Sequence, residues 1–182
     1  MQIMREVFFG KRVFLTGHTG FKGTWLTMIL NKMGAEVMGY SLEPNTAPAM
    51  YNVLNADRYC KSVIGDIRNR ELLEKSILEF EPDFVFHLAA QPIVRTSYNI
   101  PVDTFEINTI GTVNLLDTLK FLEKPCVAVM ITTDKVYRNN ETGQAYNETD
   151  PFGGYDPYSA SKAAAEIVID SYRNSFFNPN DY

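Results

Sequence analysis

The sequence has few of the residues that build metal centres or cross-linked frameworks. Two cysteines, Cys60 and Cys126, and two histidines occur among 182 residues. Because the cysteines form no CxxC pair, the sequence predicts neither a zinc site nor a disulfide framework. Sparse and unpaired cysteine is typical of proteins that work in a reduced compartment.

The sequence also has no basic surplus and no long apolar run, and it predicts no leader peptide. The formal net charge of −5 argues against a nucleic-acid partner and against an anionic membrane surface. Residues 1–12 are too charged and too short for a signal peptide, and no stretch approaches the length of a membrane span. We therefore predict a cytoplasmic protein with no membrane and no nucleic-acid partner.

Short apolar segments alternate along the chain with segments of helical period. Strands are predicted at residues 12–16, 36–40, 62–65, 83–89 and 126–132, and helices at 21–33, 69–80, 102–123 and 158–176. Apolar strands separated by helices indicate parallel βαβ units with both faces of the sheet covered. The predicted fold is α/β, a doubly wound parallel sheet of the Rossmann type. We interpret residues 1–182 as one dinucleotide-binding domain.

Helical period also predicts which side chains share a face of each helix. In the first helix the pattern groups the large apolar residues Phe21, Trp25, Ile29 and Met33. In the second it turns Leu72, Leu73, Ile77 and Phe80 inward.

Three glycines, Gly17, Gly20 and Gly23, follow the first predicted strand. In a dinucleotide loop the first permits a tight turn, the second lets backbone approach the pyrophosphate, and the third allows close packing of helix on sheet. The free N–H groups at the start of the next helix then face the phosphates. A loop of this kind between a strand and a helix predicts a dinucleotide site; a glycine turn without a ligand is the alternative.

Two polar residues farther along are candidates for the adenosine half of such a cofactor. Ser41 stands near the end of the second strand, where ribose hydroxyls are usually held. No arginine occurs between Ser41 and Asp57 to receive a 2′-phosphate, so the sequence favours NAD over NADP. Asp66 either accepts a hydrogen bond from the adenine amino group or caps the following helix.

Tyr158 and Lys162 are spaced four residues apart on the last predicted helix, and therefore share a face. A nearby ammonium favours the phenolate and lowers the tyrosine pKa toward the range of a general base. Thr133, just past the fifth strand, would orient a substrate against Tyr158. A surface pair without catalytic function is the alternative. Arg95 would bind a substrate phosphate or form a structural ion pair.

Several longer motifs carry a more specific resemblance. They are "TGHTGFKGTWL", "GDIRN", "HLAAQPIVRTSY", "TTDKVY", "GGYDPYSASK" and "SYRNSFF", and they span residues 15–177. In order and spacing they resemble the CDP-glucose 4,6-dehydratases, a nucleotide-sugar branch of the extended short-chain dehydrogenase/reductases. The resemblance implies a lyase of deoxysugar biosynthesis that uses NAD to dehydrate CDP-glucose to CDP-4-keto-6-deoxyglucose. It also implies a homo-oligomer, for which helices 102–123 and 158–176 are the candidate interface.

The resemblance implies roles for the "TTDK" and "YSASK" residues. Tyr158 takes the proton of the sugar 4-hydroxyl, and Asp134 protonates the departing 6-hydroxyl. Lys135 stands where related dehydratases have a glutamate that removes the C5 proton. It is either a neutral base, which needs a depressed pKa, or a charged stabiliser of the enolate. A surface ion pair with Asp134 is the third interpretation.

Two sets of site residues follow. The catalytic set is Thr133, Asp134, Lys135, Tyr158 and Lys162, with Arg95 and Thr133 facing the substrate. The cofactor set is Gly17, His18, Thr19, Gly20, Phe21, Lys22, Gly23, Ser41, Asp66, Ile67, Leu88, Ala89, Ala90, Gln91, Asn108, Tyr158 and Lys162.

The chain is much shorter than members of this family, whose C-terminal part supplies most nucleotide-sugar contacts. We therefore expect the substrate domain to be absent from residues 1–182, NAD binding to survive in weakened form, and turnover to be lost. Two other functions stay open: a nucleotide-sugar epimerase or dehydratase with another substrate, and a catalytically inactive dinucleotide-binding module.

Overall fold

The computed structural model describes residues 2–177, which fall into two compact units. The first unit consists of the chain up to Ala89 together with Asp117–Ile131. The second consists of Ala90–Leu116 and the chain from Thr132 onward. Within residues 2–177 no helix has both the length and the apolar character that a membrane crossing requires.

The first unit contains a five-stranded sheet in which every pairing is parallel. Its strands are β1 Arg12–Thr16, β2 Glu36–Ser41, β3 Lys61–Ile64, β4 Phe84–His87 and β5 Val127–Met130. Their spatial order is β3-β2-β1-β4-β5. From the central β1 the chain therefore winds first to one side and then to the other, which confirms the predicted doubly wound sheet.

One helix of the first unit precedes β1, and the others lie between the strands in the sequence. They are α1 Gln2–Phe8, α2 Phe21–Lys32, α3 Met50–Val53 and α4 Arg70–Phe80, with a 3-10 turn at Ala56–Tyr59. Helix α4 is capped by Asn69, whose side-chain oxygen accepts from the backbone N–H of Leu72 at 3.2 Å. The helices predicted at 21–33 and 69–80 are thus confirmed to within a residue.

The central strand β1 packs on both faces because successive residues point to opposite sides of the sheet. Val13 and Leu15 belong to a buried cluster with Leu30 of α2. On the other face the centroid of the Phe14 ring lies 6.4 Å from that of the Phe80 ring in α4. Burial of such a side chain contributes about 1.5–3 kcal/mol, so β1 anchors a helix on each face of the sheet.

The apolar face that helical period indicates in α2 is not the face that the fold buries. Phe21, Trp25 and Ile29 are 70%, 49% and 42% exposed, although Met33 at the end of the helix is buried. The buried residues of α2 are Gly23, Thr24, Thr27 and Leu30. The helix approaches the sheet through its small residues, which a count of large apolar side chains does not reveal.

The outer strands also differ from the expectation that both sheet faces are covered. Ile64 of β3 is 45% exposed, and Val127 and Val129 of β5 are 54% and 36% exposed. In the described residues α2 and α4 pack on the central strands β1 and β2. Coverage of both faces is therefore correct for the centre of the sheet and wrong for its edges.

The second unit is built from helices. They are α5 Val94–Asn99, α6 Pro101–Phe105, α7 Gly111–Leu119, whose last three residues belong to the first unit, and α8 Pro157–Ser175, with a π turn at Glu106–Ile110 and a 3-10 turn at Asp134–Val136. Helix α8 confirms the prediction at 158–176. The single helix predicted at 102–123 is wrong in detail, since it is interrupted by the π turn and ends at Leu119. Helix α5 was not predicted. Ile100, which precedes Pro101, has non-helical backbone angles (φ −130°, ψ 59°) and separates α5 from α6.

Candidate functional site

The glycine loop of the first unit is shaped by steric exclusion. Gly17 has a φ of +76°, and a Cβ on it would lie 2.8 Å from the backbone nitrogen of Ala89. A Cβ on Gly23 would lie 2.0 Å from the carbonyl oxygen of Gly17. Gly20 precedes α2 without a side-chain cap, so the first turn of α2 keeps its N–H groups open. The loop thus has the backbone cradle that a pyrophosphate requires.

His18 is placed inside the protein rather than at the surface of the loop. Its ring is fully buried, and its Nε2 lies 2.7 Å from the Ser62 hydroxyl oxygen. The ring also lies against the backbone of Gly39, where a Cβ would come within 2.2 Å of it. Burial lowers the pKa of His18 to about 4, so the imidazole is neutral near pH 7. The side chain fastens the loop to β2 and β3 and leaves only backbone for a ligand.

A pair of hydroxyls closes the end of β2. The Thr19 hydroxyl donates to the Leu42 carbonyl and lies 2.8 Å from the Ser41 hydroxyl oxygen, which leaves Ser41 as the donor of that contact. Phe21 and Lys22, the other predicted loop residues, are exposed at the start of α2. The adenosine end of the predicted cofactor site therefore has hydroxyl groups where many such sites have a carboxylate.

The Asp66 carboxylate forms an ion pair with the nearby Arg68. The Arg68 guanidinium lies 2.7 Å from the Asp66 carboxylate, and the backbone N–H of Arg68 donates to the same carboxylate at 2.9 Å. These contacts hold the pKa of the Asp66 carboxyl below its usual value. The helix cap is Asn69, so the interpretation of Asp66 as an N-cap is wrong. Contact with an adenine stays a prediction, as does the role of the buried Ile67.

The end of β4 depends on Thr16, which the sequence did not single out. The Thr16 hydroxyl oxygen accepts the N–H groups of Leu88 and Ala89 at 3.1 and 3.0 Å. It also lies 2.8 Å from Nδ1 of His87, which places the hydroxyl proton on that contact. His87 is thereby a buried histidine with a hydrogen-bond partner. Thr16 fixes the turn at Leu88 and Ala89 that closes over Gly17.

In the second unit, local sequence determines where α8 begins. The Asp156 carboxylate accepts the N–H of Ser159 at 2.9 Å, and Pro157 fills the first helical position. Tyr158 therefore lies in the first turn and is 9% exposed. Its backbone N–H donates to the buried hydroxyl of Ser97 at 3.2 Å. The main chain at Tyr158 is thus held by α5 as well as by its own helix.

Lys162 lies one turn beyond Tyr158 and is 5% exposed. Burial lowers the pKa of its ammonium group to about 8, and the charge of Glu166 opposes that shift. The Glu166 carboxylate accepts a hydrogen bond from the Thr132 hydroxyl. Lys162 is therefore an internal, electrostatically controlled group and not a surface lysine.

Asn108 lies in the π turn and forms the centre of a buried polar network. Its side-chain oxygen accepts from the Gln91 N–H at 2.8 Å, and its nitrogen donates to the Gln91 carbonyl and the Ser161 hydroxyl at 3.1 and 2.9 Å. Ser161 in turn donates to the carbonyl of Tyr158 at 2.7 Å, and Gln91 donates to Thr104. Asn108 thus positions backbone around Tyr158, and its own side chain is fully used.

The "TTDK" residues form a short turn at the surface of the second unit. The Thr133 hydroxyl donates to the Asp134 carboxylate at 3.0 Å. Asp134 and Lys135 are both exposed. Within residues 2–177 the structure shows no ion pair between Asp134 and Lys135, which contradicts that interpretation. Arg95 is exposed on α5, and among the described residues it forms no ion pair, which contradicts the structural interpretation of this residue. Its contact with a substrate phosphate stays a prediction.

The family model described as GDP-mannose 4,6 dehydratase matches residues 14–179. The chain belongs to the GDP-mannose 4,6-dehydratase family. Membership in this dehydratase family confirms the resemblance that the motifs carry. The chain is 52% identical over 173 residues to the CDP-glucose 4,6-dehydratase of Salmonella typhimurium, covering 95% of this chain and 48% of that protein. It is 32% identical over 181 residues to the CDP-paratose 2-epimerase of Salmonella typhi, with coverage of 91% and 54%.

Solved structures related to this member of the dehydratase family share its fold. The UDP-glucose 4-epimerase of Thermus thermophilus, in complex with NAD, matches with a TM-score of 0.77 and 33% identity, covering 91% of this chain and 52% of that one. Pal from Bacillus thuringiensis matches with a TM-score of 0.79 and 31% identity, covering 92% and 53%. The chain spans about half the length of the curated relatives it matches.

The structure groups the predicted residues within each unit. The first unit contains the glycine loop from Gly17 to Gly23 with Ser41, Asp66, Ile67, Leu88 and Ala89. The second contains Ala90, Gln91, Arg95, Asn108, Thr133, Asp134, Lys135, Tyr158 and Lys162. Thr16, Ser97 and Glu166 support these groups and were not predicted. Of these three, Glu166 left a signal in the sequence, since it stands one helical turn after Lys162.

Proposed function

We propose that the chain forms the NAD-binding portion of a CDP-glucose 4,6-dehydratase, which converts CDP-glucose to CDP-4-keto-6-deoxyglucose. The observation that carries the proposal is the pairing of Tyr158 with a buried Lys162 on consecutive turns of α8. The 52% identity to the Salmonella typhimurium CDP-glucose 4,6-dehydratase supports the choice of substrate.

The glycine loop supports NAD as the cofactor. A Cβ at Gly17 or Gly23 would fill the space in which backbone must approach a pyrophosphate. Ser41 and Thr19 offer hydroxyls to a ribose, and no arginine occurs between Ser41 and Asp57 to favour a 2′-phosphate. NAD held by this loop and these hydroxyls would supply reversible hydride transfer, away from C4 of the sugar and back to C6. The Thermus thermophilus epimerase of similar fold is described in complex with NAD.

Tyr158 and Lys162 would carry the first proton transfer. Tyr158 accepts the proton of the sugar 4-hydroxyl, which it can do only as a phenolate. The Lys162 ammonium favours that phenolate by its positive charge, and its burial strengthens the interaction. Thr133 orients the hydroxyl of the sugar.

Asp134 and Lys135 would carry the elimination of water. Asp134 would protonate the departing 6-hydroxyl, which requires its carboxylic acid form, and the Thr133 hydroxyl at 3.0 Å holds the carboxyl group in place. A neutral lysine base needs burial or positive neighbours, whereas Lys135 is exposed. This favours the charged role, in which the C5 proton passes to a base outside the Thr133–Lys135 turn and Lys135 stabilises the enolate that forms.

The test uses this chain and the complete gene product side by side. NAD binding is measured by calorimetry, and CDP-glucose turnover by the mass of the sugar nucleotide, which falls by one water. We expect NAD to bind both proteins and turnover to require the complete product with Tyr158 intact. Failure of NAD to bind, or full turnover by a Tyr158→Phe variant, would refute the proposal.

The alternative functions give different results in the same assay. Conversion of UDP-, dTDP- or GDP-hexoses in preference to CDP-glucose would indicate another nucleotide-sugar enzyme. NAD binding without turnover of any sugar nucleotide by the complete product would indicate a catalytically inactive module.

The proposal retains a cytoplasmic location and a homo-oligomer assembled through residues 102–123 and 158–176. Exposed apolar side chains on both segments support the interface. Val102 and Ile110 are 69% and 50% exposed, and Ile167 of α8 is 60% exposed. Light scattering should give a mass of at least two chains, and Ile167→Glu should lower it toward one.

A further inference from the structure

Glu166 is an acidic side chain that joins α8 to the segment leading into the "TTDK" turn. Its carboxylate accepts the hydroxyl of Thr132, the residue directly before Thr133. Glu166 is also one helical turn beyond Lys162, on the same face of α8. Neither Glu166 nor Thr132 is exposed. The contact therefore ties the segment that begins the turn to the helix that carries Tyr158 and Lys162.

The same carboxylate acts on the charge of Lys162. Removal from water disfavours the ammonium form, and with Lys162 only 5% exposed this effect is large. Glu166 is the group whose charge opposes it. The other ionisable residues on elements packed against α8 are Arg95, Tyr98, Asp103, Glu106, Asp134 and Lys135.

We propose that Glu166, held in place by the Thr132 hydroxyl, is a positioning residue that keeps Lys162 charged and fixes the start of the Thr133–Lys135 turn. The proposal rests on the proposed function, since it is Tyr158 that needs a charged Lys162. An exposed lysine–glutamate pair with this spacing contributes little to the stability of a helix. Here the lysine is buried, and a hydroxyl from another segment orients the carboxylate.

The test is a titration of Lys162 by NMR, in the chain labelled with carbon-13 lysine and free of cofactor and substrate. The Lys162 resonance is assigned by its absence in a Lys162→Arg variant. In Glu166→Gln we expect its pKa to fall by about one unit, because the opposing charge is gone. In Thr132→Val we expect a smaller fall, because the carboxylate is no longer held.

Two matched controls separate this role from a general effect on the helix. Thr132→Ser keeps the hydroxyl and should leave the pKa of Lys162 unchanged. Asp170→Asn removes a carboxylate one turn farther along α8, on an exposed side chain, and should also leave it unchanged. A pKa in Glu166→Gln within a few tenths of a unit of the wild-type value overturns the proposal. Should Glu166→Gln fail to fold, an unchanged pKa in Thr132→Val overturns it instead.

A kinetic measurement on the complete gene product adds a readout that a merely structural residue would not change. With Lys162 losing its proton at lower pH, the alkaline limb of the pH–rate profile should move to lower pH in Glu166→Gln. Because the NMR titration needs no cofactor, a failed dehydratase assay would contradict the proposed function alone. An unshifted Lys162 pKa would contradict the role of Glu166 alone.

Discussion

Acidification should destabilise the fold through His18 well before the carboxylates titrate. The buried imidazole has its pKa lowered from 6.5 to about 4, mainly by burial. Above pH 6.5 the residue is neutral in both the folded and the unfolded chain, so it has no pH-dependent effect. Below pH 6.5 His18 binds a proton in the unfolded chain but not in the folded chain. Stability contributed by neutral His18 is therefore lost as the pH falls from 6.5 toward 4.

The size of the loss follows from the two pKa values. The free energy of unfolding should fall by about 2 kcal/mol between pH 8 and pH 5, and by about 3 kcal/mol by pH 4. Carboxyls such as Asp66 and Asp83 have their pKa lowered by hydrogen bonds from Arg68 and Arg12. Their contributions are present above about pH 4 and are lost only below it, so they lie outside the window from pH 6.5 to 5.

The measurement is urea unfolding of the chain at several pH values from 8 to 5, compared with a His18→Gln variant. The glutamine amide can still reach Ser62, but it does not titrate. Its absolute stability will differ, so only the dependence on pH is compared. His87 is present in both proteins, and its effect cancels in the difference. If both proteins lose stability equally between pH 8 and pH 5, the reasoning about His18 is wrong.

Three further predictions concern the loop, α8 and the elimination step. Gly23→Ala should lower the free energy of unfolding by about 1–3 kcal/mol, measured in urea, because its Cβ would overlap the Gly17 carbonyl oxygen. In Gly20→Ala the Cβ would lie 3.3 Å from the same oxygen, so the loss of stability should be smaller. Equal losses in the two variants would contradict the packing argument. Ser97→Ala should cost about 1–3 kcal/mol by leaving the Tyr158 N–H unsatisfied, and in the complete gene product kcat should fall more than KM changes; unaltered unfolding and kcat would count against this anchor. Lys135→Arg should keep exchange of the C5 proton with solvent while Lys135→Met slows it, since charge is what matters; loss of exchange in both would indicate a base.

The sheet was predictable from the sequence because its strands are short apolar segments between helices of regular period. Strand β1 matches its predicted bounds, and the bounds of the other strands differ by at most two residues at either end. The inner face of α2 was not predictable by the same counting. Gly23 and Thr27 make that contact, and small residues add nothing to an apolar period.

The candidate site was predictable where chemistry depends on spacing along the chain. The glycine loop and the Tyr158–Lys162 pair are both of this kind. The residues that support them act across long stretches of sequence, as Thr16 does at the end of β4 and Ser97 does at the start of α8. Single hydroxyls paired at such separations leave no local pattern.

The π turn at Glu106–Ile110 has a consequence for how surfaces on either side of it are mapped. A π turn holds one residue more than a turn of α-helix, so the side chains before and after it are out of phase by about 100°. A helical wheel drawn continuously through residues 102–123 would therefore rotate the side chains of Gly111–Leu119 by about 100° from their true direction relative to those of Pro101–Phe105. Cross-linking cysteines in this segment are best designed in two phases, one for Pro101–Phe105 and one for Gly111–Leu119.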